Sequence, residues 1–97
     1  MEANTLYDVF DKYSADRMNG RTFVKVFKDA KVVNSKLSTT SLDIIFSKVK
    51  TKGQMKITPE EFVHGVELAA LEKQVDFQSL VEKLSKSSGP QYKGTKA

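Results

Sequence analysis

The chain has 97 residues and a mass of 10.9 kDa, which is the size of one small domain. It contains no cysteine, and this excludes a disulfide scaffold, a Cys-ligated zinc site and a thiol nucleophile. The 16 Lys and Arg residues outnumber the 12 Asp and Glu residues, so the net charge is +4. No apolar run approaches the roughly 20 residues of a membrane span, and Met1-Glu2-Ala3-Asn4 lacks the character of a signal peptide. We therefore expect a globular cytoplasmic protein that has no membrane partner.

Apolar residues recur at helical spacing along the first half of the chain. The pattern predicts helices over residues 4–14, 20–31 and 39–50. Turn residues should separate these helices at Asn19-Gly20 and Asn34-Ser35, and Lys52-Gly53-Gln54 should form the third connection, after the third helix. The apolar positions are Leu6, Val9, Phe10 and Tyr13, then Phe23, Val26, Phe27 and Ala30, then Leu42, Ile45, Phe46 and Val49.

The second half of the chain predicts two more helices. Thr58 and Glu61 have the spacing of a capping box around Pro59, so a helix should begin here and run to about Lys73. Asp76 is suited to cap a fifth helix. Short β segments are expected around Met18 and Ile57. We expect an all-α core domain over residues 1–85 and a flexible basic tail over 86–97.

Two helix–loop–helix units in tandem suggest an EF-hand-like core, in which each loop could bind calcium. The first loop, starting at Asp11, has one carboxylate at its ligand positions. In the second loop, starting at Lys50, lysine and glutamine take the ligand positions before Glu61 at position 12. Met18 and Ile57 occupy the apolar position that pairs the two loops. The sequence therefore predicts paired loops that do not bind calcium.

Several blocks of this sequence resemble the tubulin polymerization-promoting protein family. The most specific block is Asp-Ile-Ile-Phe-Ser-Lys-Val-Lys at residues 43–50. The other blocks are residues 18–25, 28–32 and 57–58, then Phe62, and Gly89-Pro90 with Gly94-Thr95-Lys96 in the tail. The resemblance identifies a short, core-domain-only member. It implies an EF-hand-like fold, binding to tubulin, and promotion of microtubule polymerization, stabilisation or bundling.

Acidic tails on tubulin would attract a basic partner. The lysines are clustered around the third connection, and the tail adds an aromatic residue and further lysine. We therefore expect the main tubulin contact to be formed by Lys48, Lys50, Lys52, Lys56, Gly89, Pro90, Tyr92, Lys93, Gly94 and Thr95. The location implied by the resemblance is the cytoskeleton, with a flagellum or cilium as a further candidate, and self-association stays open.

Other functions remain to be weighed against this one. The main alternative is a non-enzymatic interaction module that holds a partner helix in a degenerate EF-hand groove. Nucleic acid is not an expected partner, because the chain has two arginines and no arginine-rich stripe. One histidine, His64, and no phosphate-binding glycine motif leave no basis for an enzyme, a metal site or a cofactor.

Overall fold

The computed structural model describes residues 2–14 and 16–87. Five helices and two short strands are present in this part of the chain. In chain order they are α1 (Glu2–Tyr13), β1 (Met18–Asn19), α2 (Gly20–Asp29), α3 (Thr39–Val49), β2 (Lys56–Ile57), α4 (Pro59–Lys73) and α5 (Phe77–Ser87). The expectation of about five helices is confirmed. The predicted tail begins at residue 86, whereas α5 continues to Ser87, and residues 88–97 lie outside the described ranges.

The predicted start of the second helix at residue 20 agrees with the structure, in which Gly20 is the first residue of α2. Asn19 lies between the first two helices, as expected, and also caps the second one. Its side chain accepts a hydrogen bond from the Thr22 backbone N–H at 2.8 Å and thus satisfies a free donor of the first turn.

The two strands join segments that are distant in sequence. Met18 pairs with Ile57 and Asn19 with Lys56 in an antiparallel register. Met18 and Ile57 are both fully buried. This is the pairing that the alignment of the two loops predicts. It holds the α1–α2 connection beside the α3–α4 connection.

Aromatic residues from four helices form the centre of the core. The Phe23 ring packs against Phe27, Phe46 and Phe62, with ring centroids 5.0 to 6.1 Å apart. Phe10 of α1 meets Phe62 edge-on at 5.7 Å. Edge-to-face and tilted pairs of this kind contribute about 0.5–1.5 kcal/mol each beyond the area they bury. Leu80, Val81 and Leu84 of α5 belong to the same buried cluster.

A polar contact ties the ends of the first two helices together. The Tyr13 hydroxyl donates to Asp29 Oδ2 at 2.8 Å, and Lys25 Nζ lies 3.4 Å from the same oxygen. Both Tyr13 and Asp29 are half-buried.

None of the helices in the described ranges is both long enough and apolar enough to cross a membrane.

Candidate functional site

Residues 48–56 form a basic loop between α3 and α4. Lys48 lies in the last turn of α3, and Lys50 ends that helix with extended backbone dihedrals (φ −72°, ψ 151°). The chain then turns, and the Gln54 backbone N–H donates to the Thr51 carbonyl at 2.9 Å. Gly53 allows this turn because it has no side chain. Its φ of +87° is a conformation that residues with a side chain rarely adopt. Lys56 follows in β2.

The basic loop is fixed at both ends and presents its lysines outward. Val49, the second residue of the loop, and Ile57, the residue that follows it, are buried in the core. Lys48, Lys52 and Lys56 are exposed, whereas Lys50 is half-buried. The sequence from residue 44 to residue 59 contains no Asp or Glu. Four residues of the predicted tubulin contact thus lie on one short segment, and that segment contains no carboxylate that could neutralise them.

Arg17 is a basic residue of this region that the sequence reasoning missed. It precedes β1, and its Nη1 donates to Gln54 Oε1 at 3.2 Å. The signal that could have revealed it is the predicted pairing of Met18 with Ile57, which places Arg17 beside the basic loop. The arginine adds a fifth cation to the surface formed by the four lysines.

Met55 is the second feature that the sequence reasoning missed. Its side chain is 81% exposed near the end of the basic loop, next to Lys56. A flexible, polarizable methionine surrounded by cations can contact both the apolar and the charged parts of a partner. No spacing rule marks Met55, because the residue lies in a turn rather than on the face of a helix.

Glu61 connects the basic loop to the first turn of α4. Its Oε1 accepts from the Thr58 backbone N–H at 2.9 Å, while Thr58 Oγ1 accepts from the Glu61 N–H at 3.2 Å. This is the predicted capping box. The second carboxylate oxygen, Oε2, accepts from the Thr51 hydroxyl at 2.5 Å.

The hydrogen bonds to Glu61 also favour its charged form. Burial alone would raise the pKa of this carboxyl, but the hydrogen bonds from Thr51 and Thr58 and the nearby Arg17 charge outweigh it. The pKa of Glu61 therefore lies below its ordinary value. Glu61 stands at position 12 of the second loop, and both of its oxygens are occupied by hydrogen bonds within the chain.

The structure gives no grouping of metal ligands in its described ranges. No three His, Asp or Glu side chains lie close enough together there to hold an ion. Asp11, the first residue of the predicted first loop, lies within α1 and is exposed. His64 is exposed on α4. The other predicted contact residues (Gly89, Pro90, Tyr92, Lys93, Gly94 and Thr95) lie outside the described ranges.

An open groove of about 610 Å³ runs between α2 and α3. Its walls are Arg21, Val24, Lys25, Lys28 and Asp29 of α2 and Thr39 and Asp43 of α3. Val24 is the one apolar side chain in this lining. A groove that binds the apolar face of a partner helix needs a mostly apolar lining. This groove therefore does not support the interpretation of the domain as a helix-binding module.

Comparison with known proteins relates this chain to one family. A family model described as p25-alpha matches residues 4–97. Tubulin polymerization-promoting protein family member 3 of Rattus norvegicus is 46% identical over 57 residues, which are 58% of this chain and 32% of that protein. The Homo sapiens member 3 gives the same identity and coverage.

A second relative is more distant. Tubulin polymerization-promoting protein family member 2 of Homo sapiens is 39% identical over 54 residues, which are 55% of this chain and 32% of that protein. The matched segment thus spans about a third of the length of each curated relative. The family model, in contrast, covers nearly all of this sequence. The chain therefore belongs to the p25-alpha family, to which the resemblance to the tubulin polymerization-promoting proteins pointed.

Proposed function

We propose that this protein binds tubulin through its basic loop and promotes the assembly, stabilisation or bundling of microtubules without catalysing a reaction. The observation that carries this proposal is membership of the p25-alpha family, whose curated relatives are named for promoting tubulin polymerization. Cytoskeletal location, in the cytoplasm or in a flagellum or cilium, follows from the same function.

The chemistry of the basic loop supports this function. The tails of tubulin are acidic, and their carboxylates would be attracted to a loop that carries four lysines and is hydrogen-bonded by Arg17. Charges act together over the screening length of about 8 Å at physiological salt. A single segment of nine residues that carries four lysines meets this requirement better than lysines scattered along a helix.

We further propose that the domain is an EF-hand-like pair of helix–loop–helix units that has lost calcium binding. The antiparallel pairing of Met18 with Ile57 is the feature that supports this relationship. Lysines at the ligand positions repel a divalent cation, and the carboxylate of Glu61 is held by Thr51 and Thr58. In this proposal, the loops keep a structural pairing and the second one has become a cationic binding surface.

Co-sedimentation with stabilised microtubules tests the proposed function. We expect the chain to pellet with intact microtubules at low salt and to be released as the salt concentration rises. Proteolytic removal of the acidic tails should abolish pelleting. Binding that survives both treatments would place the contact elsewhere on the domain. No pelleting in any condition would contradict the proposed function.

A pair of variants locates the contact. Replacing Lys48, Lys50 and Lys52 by glutamate should weaken microtubule affinity about tenfold or more, because cations would become anions on the same segment. The control replaces Lys28, Lys83 and Lys86, which are exposed on α2 and α5, by glutamate. Both variants lower the net charge equally. Equal losses of affinity would show that overall charge, rather than the basic loop, determines binding.

A further inference from the structure

We propose that Thr51 is a phosphorylation site for a protein kinase that recognises basic peptides. Phosphate at this position weakens the binding of an acidic partner to the basic loop. The inference rests on the proposed function, because the consequence it names is the loss of binding to an acidic partner. The structural reasons concern the flanking charges, the conformation of the segment and the hydrogen bond of the Thr51 hydroxyl.

The charges around Thr51 distinguish it from the other hydroxyl residues of the chain. Lys48, Lys50 and Lys52 lie three and one positions before it and one position after it. No other Ser or Thr of the sequence has three basic residues within three positions. Kinases that carry acidic side chains in their substrate groove select such a pattern by charge complementarity.

The local conformation leaves the Thr51 hydroxyl accessible between the end of α3 and the turn that Thr51 and Gln54 close. Thr51 is exposed, and Lys50 before it has an extended backbone. Thr51 lies two residues beyond Val49, the last residue of α3, so its hydroxyl is outside the helix, and only the last turn, which carries Lys48, would have to open for a kinase to bind that lysine in an extended chain. Thr58, in contrast, is half-buried, and its hydroxyl caps α4. Ser47, which has two lysines nearby, lies inside α3.

The reaction requires a nucleoside triphosphate and a separate kinase. The hydroxyl oxygen of Thr51 forms a bond to the γ-phosphorus of ATP, the bond from that phosphorus to the bridging oxygen breaks, and ADP leaves. The hydroxyl proton passes to the catalytic carboxylate of the kinase. The Thr51 side chain must first leave Glu61, to which it donates in the unmodified protein.

Phosphorylation would change the surface in two ways. The phosphate adds a charge of about −1.5 to −2 at neutral pH, which cancels close to half of the +4 carried by the lysines of residues 48–56. It also replaces the donor that faces Glu61 by an anion, so the carboxylate and the phosphate repel each other. The link between the basic loop and α4 is therefore lost together with the charge that attracts the partner.

The test begins with the purified chain, ATP and the catalytic domain of protein kinase C, which prefers basic residues around its target. We expect phosphate incorporation at Thr51, mapped by mass spectrometry, and its loss in Thr51→Ala. The double variant with Lys48 and Lys50 changed to alanine should be modified several-fold more slowly. Modification at other residues while Thr51 stays unmodified would overturn the proposed site.

Binding is then compared between the unmodified and the phosphorylated chain, with microtubules and with poly-glutamate as the acidic probes. We expect affinity for both probes to fall about fivefold or more at physiological salt. Thr51→Ala removes the hydrogen bond without adding charge and should retain most of the affinity. Unchanged binding after full modification would overturn the switch.

The two proposals can fail separately. If the unmodified chain does not bind microtubules, the proposed function fails, and the poly-glutamate measurement still decides whether phosphate at Thr51 neutralises the basic loop. If the unmodified chain binds microtubules and phosphorylation has no effect, the function stands and the switch is wrong. Circular dichroism of each form establishes that a loss of binding does not come from unfolding.

Discussion

The carboxylate of Glu61 illustrates how one side chain serves two parts of the molecule. One oxygen completes the capping box at the start of α4, and the other receives the Thr51 hydroxyl from the basic loop. Both hydrogen bonds favour the charged form, and therefore the pKa of Glu61 is lower in the folded chain than in the unfolded chain. The folded state is stabilised by this difference wherever the carboxylate is ionised.

This linkage gives a pH dependence with a definite sign. Glu61 contributes stability above its ordinary value of 4.5, and the contribution is lost as the pH falls through the lower folded-state pKa. We expect the free energy of unfolding of the unmodified chain to fall more steeply below about pH 4.5 than that of Glu61→Gln. Denaturant unfolding at a series of pH values measures the free energy of unfolding of the unmodified chain and of the variant.

The comparison is informative because glutamine does not titrate and can keep both contacts. Its amide oxygen can accept from the Thr58 backbone N–H, and its NH2 group can donate to the Thr51 hydroxyl, which reverses the direction of that hydrogen bond. The difference in stability between the two proteins should be greatest near neutral pH and should shrink as the solution becomes acidic. A difference that stays constant over this range would mean that ionisation of Glu61 makes no contribution to stability.

At the scale of the elements, two glycines show how closely the helices pack. A methyl group added at Gly65 of α4 would lie 3.0 Å from two carbons of the Phe23 ring. The same addition at Gly20, at the start of α2, would meet the Phe46 ring at 3.4 Å, which is an ordinary contact. The two sites therefore differ in packing although both face an aromatic ring.

We expect Gly65→Ala to destabilise the domain and Gly20→Ala to be neutral or stabilising. Alanine is favoured over glycine within a helix by about 1 kcal/mol, but overpacking a buried site costs about 1–3 kcal/mol. Phe23 cannot retreat readily, because it is fully buried among three other rings. At Gly20, the reduced freedom of the unfolded chain should add about 0.4–1 kcal/mol.

Thermal and denaturant unfolding of the two variants decide the point. A gain in stability for Gly65→Ala equal to that of Gly20→Ala would show that the contact between α4 and the Phe23 ring is looser than the distance of 3.0 Å indicates.

The helices themselves could be predicted from the sequence, because apolar spacing and the capping box are local signals. The Thr58 box placed the start of α4 correctly. Some helix ends could not be placed. α2 was expected to reach residue 31 but ends at Asp29, since Ala30 caps it and Lys31 has a φ of 60°. The end of α4 was predicted correctly at about Lys73, although Gln74, which follows it, has the same left-handed conformation. Glycine usually marks this position, and a Lys or Gln gives no such signal.

The whole molecule has one core, to which both helix pairs contribute. Phe23 of α2 contacts Phe46 and Phe62 from the second pair, and the strands join the two loops. The candidate site likewise shows that the sequence predicts groups of neighbouring residues but not contacts between distant ones. Its lysines are adjacent in sequence and were predicted together, whereas Arg17 reaches Gln54 only through a contact between residues 37 positions apart.

A shared core predicts that neither helix pair folds alone. Cutting the chain between Asn34 and Ser35, which are exposed in the connection before α3, separates α1 and α2 from the rest. We expect each fragment to show little helical circular dichroism and an equimolar mixture to regain the signal of the intact chain, because only the mixture can bury Phe23, Phe46 and Phe62 together. A fragment with full helicity alone would contradict a single shared core.

The anchoring of the basic loop by Val49 and Ile57 has a consequence for the diversification of this fold. Residues 50–56 between these buried anchors include exposed side chains that make no part of the core. Such a segment can be exchanged, lengthened or recharged in the course of evolution at little risk to folding, provided that the turn and the hydrogen bonds to Glu61 are kept. Related chains could thus acquire different partners by altering seven neighbouring residues, and the same segment offers protein engineers a place to graft a binding sequence.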